Sequence, residues 1–419
     1  MPDISKKWLC VIGIGEDGWD DLSADARDLL YESEIVLGGE RHLKMLPKDW
    51  EGERIVWSSP IREAVSKIVS WRPEDPASAQ KVAIMASGDP LCYGIATKLL
   101  RHLPIEEIWI KPALTTFSLM CSRIGWSLPD VETLTIHGRP VEMLHPFVQP
   151  DAKLLVLSKD EESPKQAAEL LSARGFGKSI ITVLEHLGGK MERQISRQAD
   201  SWDQPKGAAL NAMAIECIPG RNATILSRIP GLPDEAFLHD GQLTKREIRA
   251  VSLSRLMPEV DQVLWDVGAG CGSVAIEWMR TSPRCLAVAI EKSKSRLKLI
   301  EQNSQELGVP MLRIVLGSAP EVLADLPAPD AIFIGGGLSS GYLLQTCWNA
   351  LKPGGRLVAN AVTLEGEQKL LQWQNENAGK SGASGDLTRL SISRAEKIGK
   401  FKGWKEMRSV IQFAVIKGY

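Results

Sequence analysis

The chain has 419 residues, 44% of them hydrophobic, with 50 Lys and Arg set against 52 Asp and Glu. That is enough for about two to three packed domains. A net charge of −2 and 6% aromatic residues give no global pull toward nucleic acid or a membrane surface, and no apolar run approaches transmembrane length.

The seven cysteines (10, 92, 121, 217, 271, 285 and 347) are scattered in apolar company without a C-x-x-C pair. They predict reduced thiols in a cytoplasmic protein, each a small buried hydrophobe, and argue against structural zinc. The opening Met-Pro-Asp-Ile-Ser-Lys-Lys leads into a strand-like segment rather than a signal sequence.

In chain order, residues 8–15 form an apolar strand closed by Gly13 and Gly15. A helix is expected over 23–31, with Ser23 as N-cap, then a short strand over 35–39 and an amphipathic segment over 61–71. A buried strand from Lys81 runs into Ser87-Gly-Asp-Pro90 and a helix over 93–101. Such alternation predicts a parallel layer whose ligand crevice lies at the strand C-termini, where Gly15 and Asp89 sit. Pro112 ends a further strand, Thr115 or Thr116 caps a helix to about 123, and 133–140 reads as the last strand of this subdomain. From Lys153 the strands (154–157, 179–185, 192–196, 210–217) lengthen around a helix at 164–173, which predicts a second α/β subdomain with some antiparallel pairing.

Pro219-Gly-Arg-Asn222 and Ile229-Pro-Gly-Leu-Pro233 are the most linker-like stretch, so domains are expected at 1–220 and 234–419, joined by 221–233. Beyond it, strands near 262, 286, 312, 330 and 355 are each expected to precede a helix. Two alternating segments, 389–398 and 407–416, suggest a closing antiparallel hairpin, with a small flexible segment at 379–385. A parallel sheet finished this way is the shape of a class I methyltransferase domain.

The most informative stretch is Gln262-Val-Leu-Trp-Asp-Val-Gly-Ala-Gly-Cys-Gly-Ser273. An apolar strand ends at Val267. Gly268, Gly270 and Gly272, with Ala269 and Cys271 between them, then turn the chain into a helix. About twenty residues on, a second strand ends in Glu291, placed to accept both hydroxyls of an adenosine ribose. The compact G-x-G-x-G lacks the further glycine a pyrophosphate loop wants, so S-adenosylmethionine fits better than NAD.

These residues carry a resemblance. Val11-Ile-Gly-Ile-Gly15, Ala86-Ser-Gly-Asp-Pro-Leu-Cys-Tyr-Gly94, Pro112-Ala-Leu-Thr-Thr-Phe-Ser118, Leu184-Glu-His-Leu-Gly-Gly189 and Ala214-Ile-Glu-Cys217 resemble the tetrapyrrole methylase family. Gly231-Leu-Pro-Asp-Glu-Ala-Phe237, His239-Asp-Gly-Gln-Leu-Thr-Lys-Arg-Glu247, Trp265–Gly272, Phe333-Ile-Gly-Gly-Gly337 and Leu357-Val-Ala-Asn-Ala-Val-Thr-Leu-Glu365 resemble its decarboxylating class I partner. In this order, over nearly the whole chain, they resemble the fused methyltransferase–decarboxylase family of cobalamin synthesis.

The resemblance implies a two-subdomain tetrapyrrole methylase fold followed by a Rossmann-like class I domain, with two S-adenosylmethionine sites, one per half. The first half would methylate C5 of reduced precorrin-6 (precorrin-6B). The second would methylate C15 and decarboxylate the ring C acetate, giving precorrin-8X. Carried over by motif, Gly13, Gly15, Gly88, Asp89, Thr115, Thr116 and Ala214 would contact the first cofactor. Thr244, Gly268, Ala269, Gly270, Cys271, Gly272, Glu291 and Ala319 would contact the second. Self-association is implied, a dimer through the first half and a tetramer through the second. The chain departs from the family at Glu16-Asp-Gly-Trp19, where many members have proline, and at Ser318, where many class I domains have an acid.

The chemistry needs no conspicuous acid–base pair. Methyl transfer from a sulfonium is an in-line displacement governed by positioning, and the macrocycle can absorb the electrons that decarboxylation leaves. His239, Asp240, Lys245 and Arg246 either line the acetate pocket or belong to a solvated helix start with Thr244 as N-cap; Glu247 reads as the end of a capping box. His137 and Arg139 are candidates for substrate carboxylates, and Gly335, Gly336, Gly337 and Asn360 for substrate approach. Arg41, Arg123 and Arg356 are further carboxylate forks, and His186 reads as a strand-end cap more readily than as a catalyst. No metal-ligand pattern appears. The rival readings are an RNA methyltransferase and a cofactor-binding sensor or assembly protein without turnover.

Overall fold

A computed structural model describes residues 7–57, 60–75, 80–204, 206–338, 340–377 and 385–419. The opening heptapeptide up to residue 6 and the expected flexible segment, apart from Gly385, lie outside the described residues. The chain divides into two compact units, 1–141 with 150–223, and 142–149 with 224–419.

The first unit holds two sheets. Strands β1 (Leu9–Ile14), β2 (Ile35–Gly38), β3 (Glu53–Val56), β4 (Val82–Ser87) and β5 (Ile108–Lys111) form a parallel sheet in the order β3-β2-β4-β1-β5. The continuous apolar runs of β1 and β4 follow from burial on both faces. Leu9 and Val11 point into one core with Ile84, whereas Cys10, Ile12 and Ile14 point into the other with Met85. Helix Ala24–Tyr31 starts at Ser23, whose side chain accepts from the Ala26 amide. The helix expected over 93–101 shrinks to Ala96–Leu99. Tyr93 takes a left-handed φ of 55°, and Gly94 lies so close to Pro90 that a Cβ would meet the Pro90 carbonyl at 2.3 Å.

Strands β6 (Glu132–Thr135), β7 (Lys153–Leu157), β8 (Ile180–Glu185), β9 (Arg193–Gln198) and β10 (Asn211–Glu216) form the second sheet, ordered β6-β7-β10-β8-β9. Only β6–β7 is parallel; the other pairs are antiparallel. The strand expected to finish the first subdomain is therefore the edge of the second sheet. Helix Thr116–Ile124 buries Phe117 and Met120 against Leu155, Leu184 and Ala214 of that sheet.

The second unit contains β11 (Val263–Val267), β12 (Leu286–Glu291), β13 (Arg313–Leu316), β14 (Ala331–Ile334), β15 (Arg356–Ala361), β16 (Gly385–Leu390), β17 (Ser393–Ile398), β18 (Phe401–Glu406) and β19 (Val410–Ile416). Its seven-stranded sheet has the order β13-β12-β11-β14-β15-β19-β16, parallel through β15 and antiparallel through β19 and β16. Two expectations change. Residues 389–398 are not one strand: β16 stops at Leu390, and β17–β18 form a separate hairpin turned at Gly399 (φ 58°). After β13 comes only the short 3-10 turn Glu321–Leu323. Leu226 and Leu232, from the linker-like stretch, are buried in the core of this unit.

Candidate active sites

In the second unit β11 delivers Asp266 and Val267 to a turn in which Gly268, Gly270 and Gly272 have φ of 73°, 61° and 83°. Only glycine takes such a run without strain. Space demands it as well: a Cβ on Gly268 would stand 3.0 Å from the Gly336 nitrogen, and one on Gly270 3.2 Å from the Gln242 carbonyl. The glycine run 335–337 and the 239–244 segment are thereby packed onto the turn. Helix Ser273–Thr281 begins at Gly272.

Four of the turn's amides, those of Gly268, Ala269, Gly270 and Gly272, are used within the chain. Gly268 and Ala269 donate to the Ile290 carbonyl at 3.0 Å, and Gly272 to Ala269 at 2.8 Å. Gly270 donates to Glu291 Oε2 at 2.9 Å, while Ser293 donates to Glu291 Oε1 at 3.0 Å. A buried carboxylate, Glu291, therefore stands at the turn and takes one of its amides. A pyrophosphate would be repelled there. Two carboxylate oxygens offer about four acceptor positions, so those not used by the two amides suit ribose hydroxyls. Gly317 donates to the Glu291 carbonyl, which puts half-buried Ala319 and exposed Ser318 beside it. Asp266 is fully buried; Oδ2 accepts from Ala275 at 2.9 Å and Oδ1 has no partner among the described residues. Burial, with Glu291 adding, pushes its carboxyl up to about 7.

The segment before the turn is held by an ion network. Arg249, wholly buried, donates to Glu277 at 2.6 Å, to Asp234 at 3.3 Å, and to the carbonyls of Thr244 and Leu232 at 2.5 Å each. Glu277 also accepts from the Gly231 and Leu232 amides, and Arg394 of β17 joins Asp234 to Glu247. The capping-box expectation is corrected. The helix is Arg246–Leu256 with Lys245 at the N-cap; Asp234, not Thr244, accepts from the Arg246 amide, and Glu247 pairs with Arg394. His239 and Asp240 are exposed, and Asp240 is tied to Arg296 at 2.8 Å, which with the Gln242 amide holds its carboxyl below the usual range. Arg246 is exposed and Lys245 half-buried. The Asn360 amide is engaged, donating to Ser252 and accepting from Gln412 at 3.0 Å each.

In the first unit the ends of β1, β4 and β5 converge. A Cβ on Gly13 would stand 1.9 Å from the Gly88 carbonyl, which accepts from Ala113. Gly88, with φ of 55°, donates to Ile14 at 3.0 Å and lies against Leu114 and Thr115. Thr115 caps helix Thr116–Ile124 by accepting from Ser118, and Asp89 accepts from Leu91 at 2.8 Å. Gly15 precedes Glu16 at the β1 end. Ala214 is buried beneath the Thr116–Ile124 helix. His137 is exposed, and the exposed Arg139 lies over Tyr93, 5.9 Å from the ring centre.

A polar cluster at these strand ends has no local signal in the sequence. Arg41 pairs with Glu16, His186 Nδ1 lies 3.2 Å from Glu16 Oε2, and His42 Nε2 lies 3.0 Å from both Arg41 and Ser87 Oγ. His42 is buried, and burial ahead of Arg41 pushes its imidazole down to about 4. Of the other suggested carboxylate forks, Arg123 is bound to Glu192, and Arg356 to the Leu256 and Met257 carbonyls. The cysteines are buried or half-buried; burial pushes Cys10 and Cys271 up to about 11 and Cys347 to about 12. Among the described residues no group of three or more acidic, His or Cys side chains could hold a metal, and no helix is long and apolar enough to cross a membrane.

Residues 9–201 match the family described as tetrapyrrole (corrin/porphyrin) methylases, and residues 235–417 match the precorrin methyltransferase domain. A Sinorhizobium sp protein named precorrin-6Y C(5,15)-methyltransferase (decarboxylating) is 43% identical over 417 residues, 100% of this chain and 98% of its own. The chain belongs to the decarboxylating precorrin-6Y C(5,15)-methyltransferase family. It is therefore an S-adenosylmethionine-dependent methyltransferase. Two shorter relatives match its halves. A Salmonella typhimurium cobalt-precorrin-7 C(5)-methyltransferase is 29% identical over 44% of this chain and 88% of its own. A Pyrobaculum calidifontis probable cobalt-precorrin-6B C(15)-methyltransferase (decarboxylating) is 34% identical over 41% of this chain and 88% of its own.

Proposed function

We propose that the chain methylates precorrin-6B at C5 and C15 and decarboxylates the ring C acetate, yielding precorrin-8X for cobalamin synthesis, with one S-adenosylmethionine site in each unit. The observation that carries this reading is the glycine turn of the second unit, where the buried Glu291 carboxylate accepts from the Gly270 amide and favours a ribose over a pyrophosphate. Glu291 would hold the ribose, and the 239–244 segment over Gly270 would close the site from above. The bound cofactor supplies an electrophilic methyl group. The chain's part is to align the meso carbon for in-line attack and keep water from the acetate.

In the first unit, Gly13, Gly15, Gly88, Asp89, Thr115 and Thr116 frame the corresponding site, with Ala214 in the sheet beneath. Arg139 and His137 at its rim suit substrate carboxylates. The names of the two shorter relatives support assigning C5 to residues 1–220 and the C15 and decarboxylation chemistry to residues 234–419. Self-association as a dimer or tetramer fits the exposed Ile398, Phe401 and Trp404 of the β17–β18 hairpin, and the location we assign is the cytoplasm. We assign the chain no nucleic-acid or membrane partner and no metal site of its own.

Mass spectrometry after incubation with precorrin-6B and S-adenosylmethionine tests the reading. The full chain should gain two methyl groups and lose one carbon dioxide. A fragment beginning at Thr224, which keeps the buried Leu226 and Leu232, should retain one methylation and the decarboxylation. Saturable cofactor binding with no change in substrate mass would establish the sensor reading instead.

A further inference from the structure

Three strand ends of the parallel sheet and one of the mixed sheet meet in a single polar cluster within the first unit. Glu16 follows β1, Arg41 follows β2, Ser87 ends β4 and His186 follows β8. Glu16 stands next to Gly15, so the cluster borders the turn assigned to the first cofactor. The side chains of Glu16 and His186 are 16% and 23% exposed, enough for a ligand to reach the imidazole without leaving it in bulk water.

Glu16 accepts at Nδ1 of His186 and is itself gripped by Arg41. A carboxylate at Nδ1 fixes the tautomer with the proton on that nitrogen, leaving the Nε2 lone pair as the acceptor. Among the described residues no hydrogen bond to Nε2 is made within the chain. His186 also adopts a left-handed φ of 48°, uncommon for a residue with a side chain, and Gly188 and Gly189 follow at once. A Cβ on Gly189 would stand 2.9 Å from Glu16 Cβ, so the loop presses onto Glu16. His42, the other histidine of the cluster, is buried with Nε2 already engaged.

We infer that His186 is the general base of the first unit, positioned by Glu16 and Arg41 to remove the proton from the meso carbon that has been methylated. The inference rests on the proposed C5 methylation by that unit. The meso carbon forms the new C–C bond with a π electron pair of the macrocycle, and the methyl–sulfur bond breaks with its pair left on sulfur. The macrocycle then carries an added positive charge. Nε2 takes the meso proton, the C–H pair restores conjugation, and Glu16 stabilises the imidazolium until the proton passes to solvent. The charged groups around His186 are Glu16 and Asp17 after β1, Arg41 after β2, Glu185 held by Arg193, and Glu192 held by Arg123.

The test compares full-length wild type, His186→Asn and Glu16→Gln. C5 methylation in His186→Asn should fall about a hundredfold or more in kcat. C15 methylation and carbon dioxide release by the second unit should be unchanged, and first-site cofactor binding controls for folding of the first unit. Cofactor affinity of the first site by calorimetry should stay within about twofold, and C5-deuterated substrate should show a primary isotope effect in the variant. The acidic limb of the wild-type kcat–pH profile should vanish in His186→Asn. In Glu16→Gln C5 methylation should also fall in kcat with first-site cofactor affinity kept, because the imidazole loses the carboxylate that orients it. The inference is overturned if His186→Asn methylates C5 at close to the wild-type rate, if the acidic limb persists, or if cofactor binding is lost together with turnover. If the wild type itself leaves C5 unmethylated, the proposed C5 assignment fails instead.

Discussion

Replacing Arg249 with methionine should cost the second unit about 3–5 kcal/mol, the usual penalty for removing one partner of a buried ion pair. The figure follows from what is left behind. Asp234 keeps Arg394 and the Arg246 amide, so its loss is small. Glu277, 1% exposed, keeps the Gly231 and Leu232 amides but loses the guanidinium 2.6 Å away. The Leu232 and Thr244 carbonyls lose their charged donor, each such bond contributing about 1.5–3 kcal/mol before the compensating entry of water. Methionine nearly fills the stem volume and still packs on Phe237, so cavity formation adds little. Urea unfolding, followed by hydrogen exchange in peptides spanning 246–281, measures the loss without interference from the first unit. Because Thr244 anchors the segment over Gly270, cofactor affinity at the second site should fall about tenfold, equivalent to about 1.4 kcal/mol. Adding Glu277→Gln should recover part of the stability, with a coupling energy of about 1–3 kcal/mol. A loss below about 1 kcal/mol, or strict additivity of the two substitutions, would refute the account of Arg249 as the hub.

Glu291→Ala should weaken S-adenosylmethionine binding at the second site by about a hundredfold through loss of charge-assisted ribose bonds, read by calorimetry while first-site binding persists. Asp266 and His42 should make the two units respond to pH with opposite sign. With its carboxyl raised to about 7, folded Asp266 holds a proton that the unfolded chain releases near pH 4, so its stability contribution is complete below about pH 4 and is lost as pH rises to 7. The difference reaches about 4 kcal/mol at most, and Asp266→Asn should be progressively less destabilised, or more stable, than wild type across that window in urea midpoints. Folded His42 titrates at about 4 rather than near 6.5, so its contribution is present above about pH 6.5 and is lost as pH falls toward 4, by about 3 kcal/mol at most. His42→Asn should flatten the acid sensitivity of first-unit unfolding between pH 7 and pH 5; an unchanged slope would contradict the burial assigned to it.

Much of the site was legible because its parts are local. The strand, glycine turn and helix around Gly268–Gly272 follow from an apolar run, three glycines and a helical period, and Glu291 from the end of the next strand. Thr115 and Ser23 announced their caps because a hydroxyl before an apolar helix has few other uses. The misreadings share a cause. Thr133–Thr135 reads as a strand in either subdomain, and only its pairing with β7 assigns it to a sheet. Residues 389–398 alternate throughout, so periodicity could not reveal that the chain leaves one sheet after Leu390 and starts a separate hairpin at Ser393. Thr244 and Glu247 have capping-box spacing, yet Asp234 took the cap from outside the helix.

By itself the sequence determined the two units' α/β character, the glycine turn, its carboxylate and the family, since each depends on residues within about one strand–turn–helix span. Tertiary structure alone decided which charges meet: Glu16 with His186 across 170 positions, Arg394 with Asp234 across 160, and Arg249 with Glu277 on the next helix. Electrostatic partners are chosen by proximity in space and by the loss of water around them. Neither leaves a periodic mark along the chain.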